Sequence, residues 1–119
     1  MVNPVLLEIR SERGLIDARL VARFLGVSVS QVGRAVGVSR QLLYRHPDAP
    51  KIQPRAAELE RILADLIDIY GSEEAARAWL KTPTPIFGGR SAWELIQNEP
   101  HGLTAVRMVV ENLKEGNPL

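Results

Sequence analysis

Apolar positions recur with a period near 3.6 along most of the chain, and glycines and prolines cut that period into short segments, which predicts a succession of helices with little strand. Leu20, Val21, Phe24 and Leu25 fall on one face of a first helix, with Asp17 as its N-cap and Gly26 as its stop. Ser28 stands three residues before Gln31, the spacing of a capping box, for a second helix with a Val29, Val32, Val36 stripe that ends at Gly37. Ser39 opens a third, which carries Leu42 and Leu43 and stops near His46, because Pro47 biases the residue before it away from helical angles. Asp48 to Gln53, containing Pro50, is expected as a loop. Pro54 then suits the first turn of a longer helix carrying Leu59, Ile62, Leu63, Leu66, Ile69 and Tyr70, ended by Gly71.

Ser72, Glu73 and Glu74 have the chemistry of a helix start, with the acids beside the positive end of the dipole, and this helix is expected to run to about Lys81 before Pro83 and Pro85. Ser91 and Glu94 repeat the capping-box spacing for a helix with Trp93, Leu95 and Ile96, and Pro100 and Gly102 interrupt again. Val106, Val109, Val110 and Leu113 take i, i+3, i+4, i+7 on a last helix stopped by Gly116. Val5 to Arg10 shows neither period. The expected fold is all-α: an N-terminal helix-turn-helix bundle over residues 1–53, joined by the longer helix to a small C-terminal helical domain over 54–119.

The stretch from Val29 to Arg45 has the grammar of a helix-turn-helix. Gly37 suits the left-handed turn, Gly33 lets two helices approach closely, and Val32, Val36, Val38 and Leu43 supply a small shared core. Ser39 caps the second helix of the pair, which leaves Arg40, Gln41, Tyr44 and Arg45 on its outer side, where Arg suits guanine or phosphate and Gln suits adenine. Ser30, Gln31 and Arg34 of the preceding helix, with Lys51 and Arg55, are expected to meet phosphates. A second frame exists eleven residues earlier, but its reading helix would begin Val29-Ser30-Gln31-Val32-Gly33, with fewer groups able to reach base edges.

Charge sharpens this picture. The net charge of +1 hides a division after Glu58: residues 1–58 carry nine Lys/Arg against five Asp/Glu, and residues 59–119 carry six against nine. The basic half expects an anionic partner and the acidic half a different one. At 119 residues, against roughly 150 per domain, the chain makes one domain or two very small ones. The absence of cysteine removes disulfides and thiolate metal sites, which fits a reducing cytoplasm. The longest apolar runs fall far short of the roughly 20 residues of a membrane helix, and Glu8 interrupts the apolar N-terminus, so neither a span nor a signal peptide is expected.

Other chemistries find little support. Gly88-Gly89 lacks the lysine and preceding strand of a phosphate cradle, and His46 and His101 have no second ligand at metal-binding spacing. Glu73 and Glu74, adjacent on a helix, point in different directions and serve the helix start. No metal, cofactor or catalytic activity is expected.

The segment from Trp79 to Ile96 sets both tryptophans and Phe87 around a Pro/Gly loop, with Trp79 and Leu95 expected in apolar stripes. Its order W-L-x-x-P-x-x-x-F-G-G-x-S-x-x-E-L-I, followed by Gly102 and a terminal apolar helix, resembles the toxin-binding domain of the MbcA/ParS/Xre antitoxins, with the Xre-like helix-turn-helix where those proteins carry theirs. The resemblance covers about residues 15–116; Thr84 replaces a usual Asn, Ala92 a common Pro and Phe87 a frequent Leu. It implies a non-catalytic antitoxin whose partner is a RES-domain toxin that consumes NAD or uses it for ADP-ribosylation. The C-terminal domain would cover the toxin's active site through Pro83, Phe87, Gly88, Gly89, Arg90, Trp93, Arg107, Lys114 and Leu119, while the N-terminal domain represses the operon, as a homodimer on operator DNA. The competing readings are a stand-alone transcriptional regulator with a C-terminal dimerisation domain and an adaptor with a vestigial helix-turn-helix.

Overall fold

The computed structural model describes residues 7–117. The fold is all-α. Its helices are α1 (Ala18–Leu25), α2 (Val29–Val36), α3 (Arg40–Arg45), α4 (Gln53–Tyr70), α5 (Glu73–Lys81), α6 (Ala92–Asn98) and α7 (Gly102–Lys114), with 3-10 turns at Pro50–Ile52 and Pro85–Phe87. Two compact units meet between Glu60 and Arg61, inside α4.

Local capping chemistry sets most helix ends of the first unit. Asp17 accepts from the amides of Arg19 and Leu20, and Gly26 closes α1 in the left-handed region at φ +68°. The capping box of α2 is complete: the Gln31 amide donates to Ser28 Oγ at 3.1 Å and the Ser28 amide donates to Gln31 Oε1 at 2.9 Å. The α3 helix has only six residues, too few to be stable in isolation. Its anchor is Leu43, wholly buried, a burial that contributes about 1.5–3 kcal/mol.

The structure revises the sequence reading at several points. Asp48 to Gln53 is not a plain loop: Pro50–Ile52 forms a 3-10 turn and α4 begins at Gln53. The Gln53 side chain explains the order there. Its Oε1 accepts from the Ile16 amide and its Nε2 donates to the Ile16 carbonyl, both at 2.9 Å, and Nε2 also donates to the Ala49 carbonyl at 3.2 Å. A primary amide offers the same donor and acceptor as a peptide unit, so it satisfies a backbone segment that no strand pairs on that side. The segment itself closes through an Arg10–Ile16 bridge, and residues 7 and 8 are helical; Val5 and Leu6, part of the unassigned N-terminal stretch, lie outside the described residues. On α1 the buried face takes in Ala18 and Ala22, while Leu20 is half-buried.

In the second unit, Ile62, Leu63 and Leu66 of α4 pack in a core that also holds Leu80, Ile96, Val106 and Val110. Gly102, expected to interrupt, is instead the first residue of α7 and is buried. A Cβ built on it would lie 1.9 Å from the Leu95 carbonyl oxygen, so only glycine permits the approach of α7 to α6. Val109 and Leu113, expected with Val106 and Val110 in one apolar stripe, are half-buried. The α7 helix stops at Lys114, where Gly116 takes φ +79° and the Asn117 amide donates to the Asn112 carbonyl at 2.9 Å.

Candidate functional site

Two surfaces hold the residues singled out by sequence, one in each unit. In the first, α2 leads through Gly37, Val38 and Ser39 into α3. Gly33 does what its position predicts: a Cβ there would lie 3.0 Å from the Val38 carbonyl oxygen and 3.5 Å from Leu43 Cδ1. Gly37 takes φ +75°, and a Cβ on it would meet Arg55 Nη1 at 2.8 Å, so the guanidinium of α4 lies over this turn. Ser39 Oγ accepts from the Leu42 amide at 3.2 Å and caps α3.

With Leu43 turned inward, α3 exposes Arg40, Gln41, Tyr44 and Arg45. Tyr44 is 60% exposed, and Arg40 Cζ stands 5.2 Å from the centroid of its ring. Neither Arg40 nor Arg45 forms an ion pair among the described residues. The other expected contacts are dispersed. Arg34 and Lys51 are exposed, on α2 and on the 3-10 turn, whereas Gln31 is half-buried with its carbonyl oxygen engaged in the capping box. Sequence reasoning missed the Arg40–Tyr44 pair, although the i, i+4 spacing was its signal.

The second surface is the loop after α5. Thr84 to Arg90 closes on itself: the Thr84 amide donates to the Arg90 carbonyl at 3.1 Å, the Gly89 amide to the Thr84 carbonyl at 3.0 Å and the Arg90 amide to the Phe87 carbonyl at 3.2 Å. Gly88 and Gly89 adopt φ +66° and +86°, and a Cβ on either would meet nothing within 4 Å. Glycine is therefore required for backbone angle and not for close approach. Phe87 is buried and meets Trp79 edge to face, ring centroids 6.2 Å apart. Pro83 and the exposed Ile86 rim a cleft of about 260 Å³ against Trp79.

Of the two tryptophans, Trp93 departs from its expected place, while Trp79 packs on Phe87 and pins the loop as its pattern suggested. Trp93, expected at the toxin-facing surface, is 5% exposed, while Trp79, expected in a core stripe, is half-buried beside the loop. The seven-residue α6 buries both flanks of its turn, Ala92 and Trp93 with Leu95 and Ile96. The cations expected to face a toxin all have carboxylate partners: Arg90 with Glu99 at 2.7 Å, Arg107 with Glu111 at 2.9 Å and Lys114 with Asp65 at 3.0 Å. Leu119 lies outside the described residues. Among the described residues there is no group of three or more His, Asp or Glu able to hold a metal, and no helix is long and apolar enough to cross a membrane.

These features define the class: an all-helical, two-unit protein with a cationic helix presented by one unit and a self-closed, ring-backed loop by the other. Residues 65–116, from within α4 to just past the last helix, match the model of the antitoxin Xre/MbcA/ParS C-terminal toxin-binding domain. No curated protein matches the chain. The family match supports an antitoxin role with a toxin as partner, and the domain family is not an enzyme family.

Proposed function

We propose that the chain is the antitoxin of a type II toxin–antitoxin pair, which neutralises a RES-domain, NAD-consuming or ADP-ribosylating toxin by covering its active site, and represses its own operon by binding operator DNA. Residues 54–119 serve the first task and residues 1–53 the second. The observation that carries this reading is the toxin-binding family match at 65–116 in the same chain as a short helix that turns Arg40, Gln41, Tyr44 and Arg45 outward. Outward arginines without carboxylate partners supply the phosphate and base-edge donors that duplex binding requires. Ser39 fixes the start of that helix, Arg55 lies over the Gly37 turn before it, and Arg34 and Lys51 are further exposed cations of the same unit.

In the second unit the toxin-facing groups are Pro83, Gly88, Gly89, Arg90, Arg107 and Lys114. Phe87, packed on Trp79, acts from beneath by holding the loop's shape, Trp93 serves the core of the unit, and Leu119 is a further toxin contact. The protein works in the cytoplasm as a homodimer on paired half-sites, whose spacing of about 34 Å would follow from one turn of DNA.

The test is co-expression with a RES-domain protein encoded by a neighbouring gene. The full chain restores growth and co-purifies with that protein, and a chain ending at Glu111 does neither. Growth rescue by the shortened chain overturns occlusion by the C-terminal unit. Failure of the full chain to retard a duplex from its own upstream region overturns repression.

A further inference from the structure

We propose that Arg40 is the base-reading side chain of α3, directed at guanine, and that Tyr44 is the positioning residue that holds it ready. This rests on the DNA-binding reading above. Six residues of helix offer few places from which to reach a groove, and Leu43 commits one side of α3 to the core. Of the outward cations, Arg40 and Arg45 share a residue type and an absence of ion pairs, yet only Arg40 is held by a ring.

The manner of holding matters. A carboxylate occupies the guanidinium fork, as where Arg10 donates through Nη2 to Glu60 at 2.9 Å and through Nη1 to the Gly14 carbonyl. A cation–π contact with a ring spends no acceptor oxygen on the guanidinium and leaves its planar fork of N–H groups without an oxygen partner. Two parallel donors in that plane are what the O6 and N7 acceptors of guanine require in the major groove. Tyr44 is too exposed to be explained as a core residue, and its place one helical turn after Arg40 puts the ring under the guanidinium. Arg45, with no such shelf, serves as a phosphate contact that sets register without reading sequence.

The experiment is selection of bound duplexes from a pool of random sequence with the full chain, followed by anisotropy titrations on the winning duplex. The wild type enriches a motif with a guanine that Arg40→Ala no longer requires, and Arg40→Ala weakens binding to that duplex by about tenfold to about a hundredfold. Arg40→Lys, which has no fork, fails to restore the guanine requirement. Tyr44→Ala costs about two- to fivefold on the same duplex and little on one with that guanine replaced, while Tyr44→Phe keeps the ring and stays within error of wild type. Arg45→Ala weakens all sequences alike and lowers the salt slope by about one. Helix content by circular dichroism should not change in any of these variants. An Arg40→Ala protein that enriches the same motif overturns the proposal alone, as does a Tyr44→Ala protein that loses affinity equally on both duplexes. A wild-type protein that retains no duplex overturns the DNA-binding reading and the proposal with it.

Discussion

The candidate surfaces of the two units use the same kinds of cation in opposite ways, although Arg10, Arg13 and Arg19 elsewhere in the first unit do have carboxylate partners. In the first, α3 presents Arg40 and Arg45 without carboxylate partners. In the second, Arg90, Arg107 and Lys114 are each held by an acid of the same unit. The difference teaches that charge composition does not measure availability. An unpaired guanidinium keeps its donors for a partner, whereas a paired one must first break a bond. The C-terminal loop instead offers backbone shape, fixed by its own hydrogen bonds and by the Trp79–Phe87 contact.

The largest effect that should break this comparison is Gly102→Ala. The new methyl has no room against the Leu95 carbonyl, and overpacking of that severity costs about 3 kcal/mol. A thermal melt followed by tryptophan fluorescence, since both tryptophans lie in the second unit, should show the midpoint fall; an unchanged midpoint would mean that α6 and α7 are less closely apposed than described.

Arg40→Ala combined with Arg45→Ala should lower affinity for operator DNA by about 3 kcal/mol, on the order of a hundredfold, in a gel shift, while the toxin complex still co-purifies. Equal loss of both activities would show that the units do not divide the labour. Smaller again, Lys114→Ala removes the partner of Asp65, a carboxylate only 7% exposed, and should cost about 1–2 kcal/mol in urea denaturation. Arg90→Ala, at a pair exposed on both sides, should cost less than about 1 kcal/mol by the same measurement, so a ranking in the reverse order would undo the contrast between buried and exposed pairing. Between these, Ser28→Ala should cost about 1 kcal/mol through loss of the α2 cap. If Gln31 serves mainly that capping box, Gln31→Ala should lower stability and leave the salt dependence of DNA binding unchanged.

Much of the architecture was legible from residue order. Asp17, Ser28, Ser39, Ser72 and Ser91 all cap the helices their spacing marks, because a cap needs only a side-chain oxygen two or three residues from an orphan amide. The close approach at Gly33 was legible for the same reason: α2, the turn and α3 are consecutive. The candidate site was legible in its residue types and less so in their employment. Gln31 looked like a phosphate contact and is engaged in a cap. Trp93 looked like a surface anchor and lies in the core.

What residue order determined by itself is therefore local: where helices start and stop, the all-α class, and the polar outward side of α3. Tertiary structure alone decided which apolar positions turn inward, since the helical period allows Trp79 and Trp93 equally. It decided that Gly102 is a contact and not a break, because the Leu95 carbonyl that forbids a side chain there belongs to another helix. It also decided which cations are spent, as when Lys114 finds Asp65 forty-nine positions earlier, a distance across which no sequence period carries information.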